Sequence, residues 1–93
     1  LVTPFSEQKI SSTEFIRCFS QDIDPIELKW HQDWEDRTIN FLESNDWMFQ
    51  FDNELPIPCK GELLIKAGRW HRVIKGSGNL KLKIIKHPSG GDI

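Results

Sequence analysis

The sharpest alternation along the chain is WMFQFD, residues 47–52, where Trp47, Phe49 and Phe51 fall on one face of an extended segment and Met48 and Gln50 on the other. A period of two is the signature of a strand with one buried face. LKLKII, 80–85, repeats it, with Leu80, Leu82 and Ile84 inward and lysines outward. IELKWHQD, 26–33, alternates as well: Ile26, Leu28 and Trp30 share one side, and Glu27, Lys29, His31 and Asp33 the other. EFIRCF (14–19), TINFLE (38–43), ELLIK (62–66) and WHRVIK (70–75) have strand character. NELPIPCKG, 53–61, holds two prolines and a glycine, which predicts turn, short edge strand, turn.

Between these runs lie breakers. SQDIDP (20–25), WEDR (34–37), SND (44–46) and GSGN (76–79) are turn or break compositions. About seven or eight short strands at this spacing predict an all-β fold, a small antiparallel barrel or sandwich. The polar first thirteen residues predict an extended N-terminal arm, and residues 86–93 a loose C-terminal tail. The 93 residues suffice for one domain, 1–93.

Composition narrows the function classes. Apolar residues are 38% of the chain and charged residues 28%, an ordinary balance for a folded domain. The net charge of −2 excludes phosphate-backbone binding by counterion release, so no nucleic-acid partner is expected. No apolar run approaches a membrane helix, and no secretory leader shows at the start. Cys18 and Cys59 are isolated, which predicts two reduced thiols and a cytoplasmic location.

The chemistry concentrates in WHQDWEDR, 30–37, and in AGRWHRV, 67–73. On a strand, His31 and Asp33 point the same way. His71, on another strand, would complete two imidazoles and one carboxylate, a facial set with open positions that suits a divalent transition metal. Each residue also has a plainer reading: a strand histidine is commonly a surface or hydrogen-bonded residue, and Trp30, Trp34 and Trp70 fit packing as well as stacking.

GELLIKAGRWHRV, 61–73, resembles the second motif of the cupins: Gly61, Gly68 and His71 match, and Lys66 stands where the family has proline. Against the first motif, His31 matches the first histidine, Asp33 replaces the second, Arg37 falls at the glutamate and Ser44 at the glycine. The resemblance spans about residues 26–85. It implies a small jelly roll of the cupin type, its site pointing into the barrel. By position His31, Asp33 and His71 remain as metal ligands for Fe, Mn, Ni or Zn. Glu35 or Asp36 is an additional ligand or base if the WEDR break shifts register. Arg37, Gln50 and Trp47 are candidate substrate contacts.

Three functions stay open at this point. One is a metal-dependent small cupin acting on an unidentified small molecule. The second is a metal-free module binding a sugar or an anion, with Arg37 supplying the charge. The third is a non-catalytic scaffold, and a homodimer is expected of a small cupin. The His-x-Asp…His pattern also resembles the 2-oxoglutarate-dependent oxygenases, but strand alternation points Arg72, next to His71, away from the interior.

Overall fold

The structure is a computed structural model and describes residues 4–88. Its eight strands are β1 (Ser6–Lys9), β2 (Glu14–Phe19), β3 (Asp36–Glu43), β4 (Met48–Phe51), β5 (Ile57–Pro58), β6 (Glu62–Ile65), β7 (His71–Ile74) and β8 (Leu80–His87). All pairings are antiparallel. They form a five-stranded sheet in the order β1-β2-β8-β3-β6 and a three-stranded sheet in the order β5-β4-β7. Insertion of β8 between β2 and β3 is a long-range crossover that draws the chain's two halves into one sheet.

The register puts the inner face of the large sheet together residue by residue. Phe15 lies opposite Ile84, Ile84 opposite Ile39, and Ile39 opposite Leu63. Directly paired residues share a face, so this row is one apolar band across four strands. Leu80, Leu82 and Ile84 are buried while Lys81 is exposed, which is the alternation read from LKLKII. From the small sheet, Phe49 packs edge-on against Phe41 at 6.4 Å, so the core lies between the two sheets.

The crossing from the large sheet to the small one is the turn Ser44–Trp47, closed by the Trp47 amide donating to the Ser44 carbonyl at 2.8 Å. Asn45 and Asp46 both take positive φ there, a conformation that asparagine and aspartate tolerate better than most residues. Gly76 passes directly over this turn; a Cβ on it would come within 2.4 Å of the Asp46 carbonyl carbon. That close approach accounts for a glycine at the position.

Three sequence expectations change. Residues 26–33 are not a strand. Pro25–Glu27 form a single 3-10 turn, with Asp24 Oδ1 accepting from the Ile26 amide at 3.1 Å. Proline fixes φ and the aspartate caps the turn, and these local terms override the alternation. Ile26 is consequently 71% exposed, and only His31 makes a ladder contact, an isolated bridge to His71. The N-terminal arm is more than an arm, since β1 pairs with β2 over four residues. The tail begins later than expected, because β8 continues to His87; residues 89–93 lie outside those described. No helix among the described residues is long and apolar enough to cross a membrane.

Candidate metal centre

His71 opens β7, immediately after a turn in which Gly68 adopts a φ of +80°. The Gly68 amide donates to the Asp33 carbonyl at 2.8 Å, tying that turn to the segment carrying the other two residues. Backbone bonds between His31 and His71 are reciprocal, 3.0 and 2.9 Å. Reciprocal bonding sets two residues directly opposite each other, and their rings meet edge to face with centroids 4.2 Å apart. One donor atom from each of His31, Asp33 and His71 lies within 4.8 Å of the other two. Cis ligands around an ion at about 2.1 Å lie roughly 3.0–3.4 Å apart, so a loaded site is somewhat tighter than this one. His31 is the exposed member of the three.

Second contacts fix both imidazoles. His71 Nδ1 lies 2.7 Å from the Arg69 carbonyl and His31 Nδ1 lies 3.2 Å from the Lys29 carbonyl. A carbonyl only accepts, so each Nδ1 carries a proton, and in its neutral form each ring has its Nε2 lone pair available. The His71 ring is 3% exposed and stacks on Phe49 with an interplanar angle of 16°. Asp33 is 8% exposed. Its Oδ1 meets Arg37 Nη1 at 3.1 Å. Its Oδ2 is buried, faces His71 Nε2 at 3.4 Å, and receives no hydrogen bond among the described residues.

The electrostatics follow from this layout. Burial pushes the Asp33 carboxyl up. His71, Arg37 and His31 together outweigh it, and the carboxyl is held below its ordinary value. Burial pushes the His31 imidazole down, and the neighbouring His71 lowers it further. An ionised carboxylate beside a neutral imidazole is the protonation pattern that metal coordination requires.

The other sequence candidates separate. Arg37 faces inward and is held on its far side by Glu35, Nε to Oε2 at 2.6 Å. Glu35 therefore grips the arginine and is not part of the ligand group. Asp36, one residue earlier on the strand, points to the opposite face; it accepts from the Ala67 amide at 2.8 Å and from Lys66 Nζ at 3.2 Å. Trp47 does not reach a substrate space: it is 1% exposed, and its indole donates to the Gly78 carbonyl at 3.0 Å. Gln50 is likewise occupied elsewhere, accepting from Arg72 at 2.8 and 2.9 Å and donating to the Glu54 carbonyl. The reasons differ: Trp47, just before β4, is packed into the core, whereas Gln50 is an outward residue of β4 and bonds the neighbouring strand and loop.

The triad opens onto a cavity of about 390 Å³, lined by Phe19, Ile39, Phe49, Val73 and Leu82 among others. Its lining includes a second guanidinium, Arg17, that sequence reading missed. The signal was present in EFIRCF: alternation puts Arg17 between Phe15 and Phe19 on the inward face, and the register sets it opposite the buried Leu82.

An antiparallel all-β fold of the cupin type, with two histidines and one carboxylate clustered at an internal cavity, is the class defined by these features. Solved structures with the same fold include HppE, hydroxypropylphosphonic acid epoxidase from S. wedmorenis. Its cobalt(II) form in complex with Tris buffer superposes with a TM-score of 0.70 at 11% identity, over 94% of this chain and 55% of that one. Its iron(II) form gives 0.60 at 12% identity, over 80% of this chain and 41% of that one. The chain thus spans about half the length of HppE. Protein NMB1881 from Neisseria meningitidis gives 0.57 at 13% identity, over 90% of this chain and 82% of that one. No family model and no curated protein matches the sequence.

Proposed function

We propose that this protein is a small cupin with a degenerate first motif, which holds one divalent transition metal through His31, Asp33 and His71 and acts on a small molecule in the adjoining cavity. One observation carries the reading. Asp33 Oδ2 is buried and receives no hydrogen bond among the described residues, and the atom facing it at 3.4 Å is His71 Nε2, whose ring bonds the Arg69 carbonyl through Nδ1. With His71 neutral, two lone-pair atoms meet in a buried place, which calls for a cation between them. The donor set, two imidazoles and one carboxylate, suits iron(II) and also accepts Mn, Ni or Zn. Solved forms of HppE with iron(II) and cobalt(II) support the same choice.

When bound, such an ion supplies Lewis acidity or a centre for oxygen chemistry. The protein's own residues do the rest. Arg37 and Glu35 hold Asp33 in place, the two carbonyls orient the imidazoles, and the apolar walls exclude water. Metal analysis after expression in medium supplemented with iron, manganese, nickel and zinc tests this. The expected result is about one ion per chain, lost in Asp33→Asn and in His71→Ala. A wild-type protein that purifies and dialyses without any stoichiometric ion overturns it.

A second reading rests on Arg37. If a proton rather than a metal sits between Asp33 and His71, the imidazolium and Arg37 make the cavity a metal-free anion-binding module. The same metal analysis separates the two.

A further inference from the structure

The cavity lining includes two arginines that a metal site does not require. Arg17 and Arg37 both project into it from the inner face of the large sheet, near enough to repel one another. Arg37 commits Nε to Glu35 and Nη1 to Asp33. Arg17 commits Nε and Nη2 to a single oxygen, Glu7 Oε2, at 2.8 and 2.7 Å, and lies over the Phe5 ring at 3.7 Å from its centroid. A guanidinium has five N–H donors, so these bonds leave donors over on both. An apolar side chain at position 17 would match Phe15 and Phe19 beside it at a lower desolvation cost. Packing alone gives no reason for the charge.

The balance of charge points to the ligand. Arg17 cancels Glu7, Arg37 cancels Glu35, and the exposed Lys29 of the lining cancels Glu27. Asp33 remains, so the metal-free cavity has one excess negative charge and a divalent ion turns it into one excess positive charge. A single negative charge on the ligand then neutralises the site. Arg17 already binds one carboxylate, through a single oxygen of Glu7.

We propose that the cavity takes a small organic monocarboxylate, with Arg17 receiving its carboxylate and the apolar walls its carbon chain. The proposal deepens the metal reading, on which its charge balance rests. Hexanoate and its neutral counterpart hexanamide are the probes, titrated by NMR into wild-type protein with and without cobalt(II). Cobalt-loaded protein should bind hexanoate at least about 10-fold more tightly than hexanamide, the scale of one charge-assisted hydrogen bond. Arg17→Met should bring the ratio near one. Glu7→Gln, which removes the internal competitor, should tighten hexanoate binding, an effect that a merely structural Arg17–Glu7 pair does not produce.

Equal binding of acid and amide, or a ratio unchanged in Arg17→Met, overturns the proposal. Should Arg17→Met fail to fold, Arg17→Lys and the wild-type ratio still decide. Cobalt uptake is measured first. Uptake without acid selectivity sinks this proposal alone. No uptake sinks the metal reading, and the acid-to-amide ratio of the metal-free protein then judges Arg17 by itself.

Discussion

Replacing Arg37 by methionine isolates the electrostatic argument of the site. The guanidinium, 14% exposed, lies 3.1 Å from Asp33, whose side chain is 9% exposed, and 2.6 Å from Glu35. Without it, two carboxylates are left close together, one of them buried. Removing one partner of a buried pair costs about 3–5 kcal/mol. Glu35 is partly open to water, with 25% of its side chain exposed, which brings the expected loss down to roughly 2–3 kcal/mol. For a domain of this size each kcal/mol moves the melting temperature by about 4–8 °C, so the metal-free variant should melt roughly 10–20 °C below wild type.

The metal-loaded variant should behave in the opposite sense. Arg37 repels any cation bound at Asp33, and its removal takes that repulsion away. An ion would compensate the exposed pair of carboxylates, so saturating cobalt(II) should raise the melting temperature of Arg37→Met by more than it raises that of wild type. Adding Asp33→Asn to the variant should restore most of the metal-free stability and abolish the response to metal. Scanning calorimetry of the three proteins with and without cobalt reads all six states. An Arg37→Met protein with unchanged metal-free stability and an unchanged metal response would show that Asp33 is not the stressed, cation-seeking carboxylate described above.

His71→Ala should eliminate metal binding, whereas His87→Ala should leave metal content unchanged, because His87 ends β8 and bonds only Thr38 Oγ1 at 2.7 Å among the described residues; equal metal loss in both variants would refute the ligand assignment. His31 has a folded pKa below its ordinary 6.5, so the unfolded chain takes up its proton first and metal-free stability should fall as pH drops below about 6.5 towards the folded value. His31→Gln should flatten that part of a calorimetric pH profile, and an unaltered slope would count against burial of the neutral ring. Burial pushes the Cys59 thiol up to about 12, leaving a thiolate fraction at pH 8 of about one in ten thousand. A disulfide reagent should therefore modify only Cys18 in the native protein and both thiols in denaturant; fast labelling of native Cys59 would contradict its burial.

Strands that alternate against a common core were legible in the sequence. Trp47 and Phe49 are inward as read, and so are Leu80, Leu82 and Ile84, because burial of a whole face outweighs any one residue's preference. Residues 26–33 were misread because alternation there competes with Pro25 and the Asp24 cap, and local backbone terms win where no sheet neighbour is available beyond His71. His31, Asp33 and His71 cluster as read but by another route: residues 31–33 are not a strand, and the His31–His71 bridge and the Gly68–Asp33 bond bring the three together. The role of Arg37 was legible only as a pair of alternatives. Which acid it grips depends on where β3 begins, and β3 begins at Asp36, which sends Asp36 outward and Arg37 inward. Neither Gln50 nor Trp47 lines the cavity: alternation sorts residues into two faces but does not say which of them meets that space.

On the proposed metal reading, the charge of the site depends on occupancy. Glu35 and Glu7 each neutralise an inward arginine, and the two carbonyls hold both imidazole protons away from the centre. What is left without a partner is one carboxylate oxygen facing one lone pair. A proton placed between them would make His71 an imidazolium wedged against Phe49 in the core and add its charge to those of Arg37 and Arg17. A divalent ion there would be held by His31, Asp33 and His71, without that added imidazolium charge. The exposed position of His31 beside two buried partners is what the second arrangement needs and the first leaves without a use.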